Sequence, residues 1–132
     1  MQAIPASMLY QLWGKYLRVV AADAEYAIPQ KDWLLRVAKE HLLDCPKYRK
    51  SFDCEDIAFS LKLRCQMLHC ANDPPVDGLA VGVLFYVPTN KTPHAINWSI
   101  SKEGALWFLE PQFAKEIILS QSELRSSLFA YC

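Results

Sequence analysis

The sequence has no excess of charge of either sign. Fourteen Lys and Arg balance fourteen Asp and Glu, which gives a formal net charge of +0 at pH 7. Domains that bind nucleic acid usually carry a basic face, so this balance argues against nucleic acid as a partner. Basic clusters such as Lys47, Arg49 and Lys50 are too small to change that conclusion.

Long apolar runs are also missing. The longest, residues 79–87, is interrupted by Gly82 and is far shorter than the ~18 to 20 apolar residues that span a bilayer. Residues 1–17 lack the basic start and the unbroken apolar stretch of a secretory signal. We therefore expect a soluble cytoplasmic protein without a membrane partner.

The cysteine count does not allow a complete disulfide framework, because five is an odd number. Cys65, His69 and Cys70 have a spacing that resembles a metal site. A second clustered pair of ligands is missing, however, and structural zinc normally uses four closely patterned ligands. The sequence thus predicts free thiols and no zinc site.

No repeat, low-complexity segment or long linker divides the 132 residues, so we predict one domain, 1–132, with a helical part at 1–47 and a core at 48–112. Apolar residues at helical spacing predict helices over 7–17, 31–43 and 53–70, and a short one over 113–119. Strands are predicted at 79–87, 94–100 and 105–110, joined by turns at 88–93 and 101–104. Helices followed by an antiparallel meander predict the α+β class.

The stretch "FDCEDIA" places Cys54 at the start of the central predicted helix. Backbone N–H groups and the helix dipole favour a thiolate at that position. Asp53 is the expected N-cap, and Glu55 and Asp56 follow in the first turn, where acids are favoured. Their negative charges oppose thiolate formation, so Cys54 needs a cationic partner to serve as a nucleophile.

His94 is the best placed of the three histidines to be that partner. It begins a predicted strand, whereas His41 lies in the second helix and His69 at the far end of the central helix. Glu110 ends the next predicted strand, just before Pro111. If these two strands pair through the turn at 101–104, Glu110 lies beside the imidazole of His94 and can orient it.

The segments "FDCEDIAFSL", "HAINWSI" and "LWFLEPQ", in this order, resemble the papain-like and transglutaminase-like cysteine hydrolases. The nearest resemblance is to the C-terminal cysteine protease domain of the agglutinin of the fairy-ring mushroom. It covers about residues 48–112 and implies a papain-like or transglutaminase-like core with a Cys-bearing helix packed on an antiparallel sheet. It also implies Cys54 as nucleophile, His94 as general base and Glu110 as the residue that orients His94.

Two further features depend on this resemblance. The glutamine that donates to the oxyanion in papain-like enzymes has no counterpart before Cys54, which leaves Tyr48 and Gln112 as oxyanion candidates. The resemblance also implies calcium dependence, for which Glu55, Asp56 and the acids of "NDPPVD" offer oxygen ligands. No other cofactor is expected.

The expected function is thiol-dependent hydrolysis of a peptide or amide bond through a Cys-His-Glu triad and a thioester intermediate. The expected partner is then a peptide or protein substrate. The sequence does not decide whether the reaction is hydrolysis or group transfer. It also does not decide whether the protein is a monomer or a homodimer. The alternative is a non-catalytic binding or assembly module that retains the fold, with Cys54 as a small buried residue of the helix face.

Overall fold

The computed structural model describes residues 2–89 and 91–132. The predicted turn at 88–93 therefore lies partly outside the described residues. In chain order the described helices and strands are β1 (Ala3–Pro5), α1 (Ala6–Trp13), β2 (Glu25–Ala27), α2 (Lys31–Asp44), α3 (Cys54–Ala71), β3 (Gly78–Leu79), β4 (Val81–Tyr86), β5 (His94–Ile100), β6 (Leu106–Glu110), β7 (Lys115–Ile117), α4 (Gln121–Arg125) and β8 (Phe129–Tyr131).

The larger sheet has five strands in the order β7-β6-β5-β4-β8, and every neighbouring pair is antiparallel. The β5–β6 pairing places Asn97 opposite Leu109 and Ile100 opposite Leu106. The turn between them closes at Gly104, whose φ of 82° is readily adopted by glycine. β5 thus starts at His94 at one end of the sheet and stops at Ile100 at the other.

Side chains of this sheet alternate between two buried layers, as the two-residue period of a strand requires. On one face α3 packs with Ala58 against Val83 and Ala95. On the opposite face Trp98 meets Trp13 of α1 edge to face, with ring centroids 5.3 Å apart. The sheet is therefore covered on both sides, which explains why β4 and β5 are almost entirely buried.

The smaller sheet has the order β1-β2-β3 and joins the N-terminal segment to the rest of the domain. β1 and β2 are antiparallel, while β2 and β3 are parallel. Helix α2 follows β2 and packs with Leu34, Val37 and Ala38 into the same core as Leu61 and Cys65 of α3. This places the start of α2 close to the end of the large sheet where β5 stops.

The predicted helices and strands agree best with the structure where the apolar pattern in the sequence is long. Residues 94–100 form β5, and α3 runs one residue past the predicted 53–70, with Asp53 as its N-cap. The short helix predicted over 113–119 is wrong, because Ala114 has a positive φ of 49° and Lys115–Ile117 pair with the edge of β6 as β7. Among the described residues, no helix has both the length and the apolar character needed to cross a membrane.

Candidate functional site

Cys54 is the first residue of α3 and lies against the beginning of β5. The helix start is fixed by the backbone N–H of Asp53, which donates to Oδ2 of Asp56 at 3.1 Å. The Cys54 side chain is half-buried and packs on the cluster formed by Ala58, Val83 and Ala95. Its place is thus set by the packing of α3 on the sheet.

Burial raises the pKa of the Cys54 thiol above its ordinary value, because the charged thiolate is poorly solvated there. The backbone N–H of Ala95 acts in the opposite direction, and the carboxylates of Asp53 and Glu55 raise the pKa further. The first turn of α3 therefore holds Cys54 as a neutral thiol at neutral pH.

His94 and Glu110 form a close, largely buried pair at the same end of the sheet. His94 Nε2 lies 2.6 Å from Glu110 Oε1, and Glu110 is only 9% exposed. The second carboxylate oxygen of Glu110, Oε2, is buried without a partner among the described residues. The ring of Tyr86 lies edge-on to the imidazole, with centroids 6.0 Å apart. Burial raises the pKa of Tyr86 to about 12, and the charges of Glu123 and Glu110 add to this.

The alternation of β5 separates His94 from the cysteine. His94 has the same parity as Ile96 and Trp98, which pack with Tyr86 and Trp13 on the face away from α3, whereas Cys54 packs beside Ala95. Within residues 2–89 and 91–132, no hydrogen bond joins Cys54 Sγ to the imidazole of His94. The structure therefore joins His94 to Glu110 and places Cys54 near their strand without coupling it to them.

The two oxyanion candidates, Tyr48 and Gln112, make no side-chain hydrogen bond to Cys54 or His94 among the described residues. Tyr48 is 60% exposed in the loop before α3. Gln112 is half-buried in the turn after β6. The catalytic roles of Cys54, His94 and Glu110, and the oxyanion roles of Tyr48 and Gln112, remain predictions.

The oxygen ligands suggested for calcium do not meet. Asp53, Cys54 and Glu55 present ligand atoms within 4.8 Å of one another at the start of α3. The acids of residues 72–77 follow the other end of this 18-residue helix, about 25 Å away at 1.5 Å per residue. The two groups therefore cannot hold one ion together, and calcium dependence stays a prediction.

A second concave region lies at the opposite end of the large sheet, and we call it the α2 pocket. It has a volume of about 920 Å³ and is lined by Gln2, Ile28, Pro29, Gln30, Lys31, Asp32, Trp33, His69, Asn72, Leu79, Ile100, Ser101, Lys102 and Glu103. The sequence predicts no site here. Its lining comes from five separate segments of the chain, so no local motif could have revealed it.

Fold and site together define a small mixed helix-and-sheet domain, with a cysteine at a helix start and a pocket at the far end of its sheet. The family model for the C-terminal domain of agglutinins matches residues 26–116. The chain belongs to the agglutinin C-terminal family. No curated protein sequence matches it.

Two solved structures share the fold. A crystal structure of Polyporus squamosus lectin, bound to the human-type influenza-binding epitope Neu5Acα2-6Galβ1-4GlcNAc, superposes with a TM-score of 0.81 at 17% sequence identity. A PSL1a–E64 complex superposes with a TM-score of 0.78 at 18% identity. The match covers 98% of this chain in both cases, but only 49% and 51% of the other chains. The chain thus spans about half the length of these relatives.

These comparisons correct several expectations. The assignment to papain-like or transglutaminase-like cysteine hydrolases, and the core that it implied, are wrong, because the family and the similar structures are those of an agglutinin and a lectin. The resemblance to an agglutinin domain fits in part. The expected thiol hydrolase function is wrong for the same reason, and a peptide substrate has no support.

Proposed function

We propose that the chain is a non-catalytic, carbohydrate-binding module. The observation that carries this proposal is the match of residues 26–116 to the agglutinin C-terminal family. The similar lectin was solved with a sialylated trisaccharide, which makes a glycan the first ligand to test. This chain corresponds to about half of that lectin. The proposal is therefore that this half itself binds a glycan.

The state of Cys54 supports the non-catalytic part of the proposal. A cysteine nucleophile needs a lowered pKa or a base within hydrogen-bond reach. Burial and two flanking carboxylates raise the pKa of Cys54, and His94 is bonded to Glu110 on strand positions that face away from α3. The hydrogen-bonded pair of His94 and Glu110 is then a structural contact at one end of the sheet.

Titration calorimetry with Neu5Acα2-6Galβ1-4GlcNAc and lactose tests the carbohydrate-binding part. We expect saturable binding of at least one saccharide, and equal affinity in Cys54→Ala, because no step depends on the thiol. Absence of any binding heat with both saccharides would refute glycan binding. Peptide cleavage that disappears in Cys54→Ala would refute the non-catalytic part.

A further inference from the structure

We propose that the α2 pocket is a saccharide-binding site, with Trp33 as the surface on which a sugar ring stacks and Nδ1 of the buried His69 side chain as a hydrogen-bond acceptor. This inference rests on the proposed function and adds to it the location and the recognition chemistry. Four observations carry it: the size of the pocket, the half-buried indole, the free ring nitrogen of His69 and the balance of charge.

The size of the pocket suits a small polar ligand. Its volume of about 920 Å³ falls within the roughly 300 to 1,000 Å³ of ligand sites. Buried apolar side chains supply its floor, namely Ile28, Leu79 and Ile100, which are 9%, 2% and 0% exposed. Because these residues belong to the core, the pocket is shaped by the fold before any ligand arrives.

Trp33 provides an apolar wall at the start of α2. Its side chain is half-buried, packs on the core that contains Leu34 and Val37, and also lines the pocket. An indole held in this way offers a large rigid surface at little cost in side-chain entropy. The C–H face of a pyranose ring is the part of a sugar that stacks on such a surface.

His69 supplies an acceptor whose state is fixed by the fold. It is 5% exposed, and its Nε2 lies 2.7 Å from the carbonyl oxygen of Val76. A carbonyl only accepts, so Nε2 carries the hydrogen in the neutral ring and Nδ1 keeps its lone pair. Within the described parts of the chain, no side-chain hydrogen bond engages Nδ1. An acceptor without a side-chain partner in a pocket wall is suited to a ligand hydroxyl.

The remaining lining offers both donors and acceptors without net charge. Gln30 and Asn72 are exposed amides, and the N-cap residue Gln30 makes no side-chain hydrogen bond to the first turn of α2. The charged residues in the lining cancel, Lys31 and Lys102 against Asp32 and Glu103. Phosphate ligands need a positive excess, whereas neutral sugar hydroxyls need this mixture of donors and acceptors.

The test is a two-dimensional NMR titration of the uniformly ¹⁵N-labelled chain with Neu5Acα2-6Galβ1-4GlcNAc, lactose and N-acetylglucosamine. We expect saturable shifts confined to the α2 pocket for at least one of these sugars. Trp33→Ala should weaken that affinity roughly three- to tenfold. Trp33→Phe should restore most of it because an aromatic face remains. Leu63→Ala, on the exposed side of α3, is the matched control and should leave the affinity unchanged.

Should Trp33→Ala prove unstable, Asn72→Ala serves as the second variant, since Asn72 is exposed at the rim. Saturable binding with shifts elsewhere, or with affinity unchanged in these variants, would overturn the location while leaving carbohydrate binding intact. If none of the three sugars produces shifts, carbohydrate binding fails, and this inference fails with it.

Discussion

The two ends of the five-stranded sheet both carry a histidine, but they use it differently. At the start of β5, His94 is bonded to Glu110 and covered by Tyr86. Where β5 stops, His69 lines an open pocket, and one of its ring nitrogens has no side-chain partner in the part of the chain that the structure describes. A polar side chain that finds its partner inside the protein stabilises the fold, while one facing a pocket is available to a ligand. We therefore interpret the first end as structural and the second as functional.

The largest effect should come from removing the imidazole at the structural end. His94→Ala leaves the carboxylate of Glu110 buried and unpaired, which we expect to lower the free energy of unfolding by about 3 kcal/mol. Replacing both residues, in His94→Leu with Glu110→Met, should recover most of the loss. Urea denaturation measures this. If His94→Ala unfolds at the wild-type midpoint, His94 has no structural role.

The loss of stability at acid pH should come from a histidine that lies between the two ends of the sheet. His41 is 8% exposed between α2 and α3, and its Nε2 lies 2.7 Å from Ser60 Oγ. Burial, and then the charge of Arg64, lower the pKa of His41 below its ordinary value of 6.5, with Asp44 acting in the opposite direction. The unfolded chain then binds the proton more tightly. Stability should be constant above pH 6.5 and should fall as the pH drops below it.

The measurement for this prediction is thermal unfolding across pH 4 to 8, a range of about four units around the histidine pKa. His41→Leu should have a flatter acid limb than the wild type. An acid limb of equal slope in both proteins would show that the sensitivity comes from another group.

Thiol labelling compares Cys54, at the start of α3, with Cys70, in the last turn of the same helix. Cys70 is exposed, whereas Cys54 is half-buried and its pKa is raised. Because the thiolate is the reactive form, iodoacetamide at neutral pH should modify Cys70 before Cys54. Cys65 and Cys132, whose pKa values burial raises to about 12, should react last. Peptide mapping by mass spectrometry gives the order, with Cys70→Ser as the control; Cys54 reacting first would indicate an activated thiol.

The smallest effect on stability is expected at the rim of the α2 pocket. The only side-chain hydrogen bond that the described structure gives Asn72 joins its Nδ2 to the carbonyl oxygen of Leu68, at 3.1 Å on the surface. Asn72→Ala should change the free energy of unfolding by no more than about 0.5 kcal/mol. A larger loss in denaturant titration would mean that the pocket wall is part of the folding core, which would blur the contrast between the two ends.

The sequence predicted the parts of the fold that depend on long periodic patterns. Helices α2 and α3 and strands β4 to β6 follow from apolar spacing and from the turn at 101–104. The β5–β6 register also brings Glu110 beside His94, as the hairpin geometry requires. Strands β1, β2, β7 and β8 have three residues each. They form through backbone pairing with distant segments, which leaves no pattern in three residues.

The site was harder to predict than the fold. Spacing along the chain placed Cys54, His94 and Glu110 at one end of the sheet, but it could not show that strand alternation turns His94 away from α3. Trp33 gave no signal, because a half-buried indole in an apolar helix face looks like any core residue. The spacing of His69 with Cys65 and Cys70 suggested only a metal site. Only tertiary packing opens a pocket beside them.

The most direct test of the central claim, a binding module without thiol catalysis, is mass spectrometry with peptide mapping after incubation of the protein with an electrophilic peptide probe at neutral pH, with and without calcium. We predict no adduct on Cys54 in either condition, and no difference between wild type and His94→Ala. A single stoichiometric adduct on Cys54 that forms in the wild type and is lost in His94→Ala would contradict the account, because it would show His94 activating the thiol.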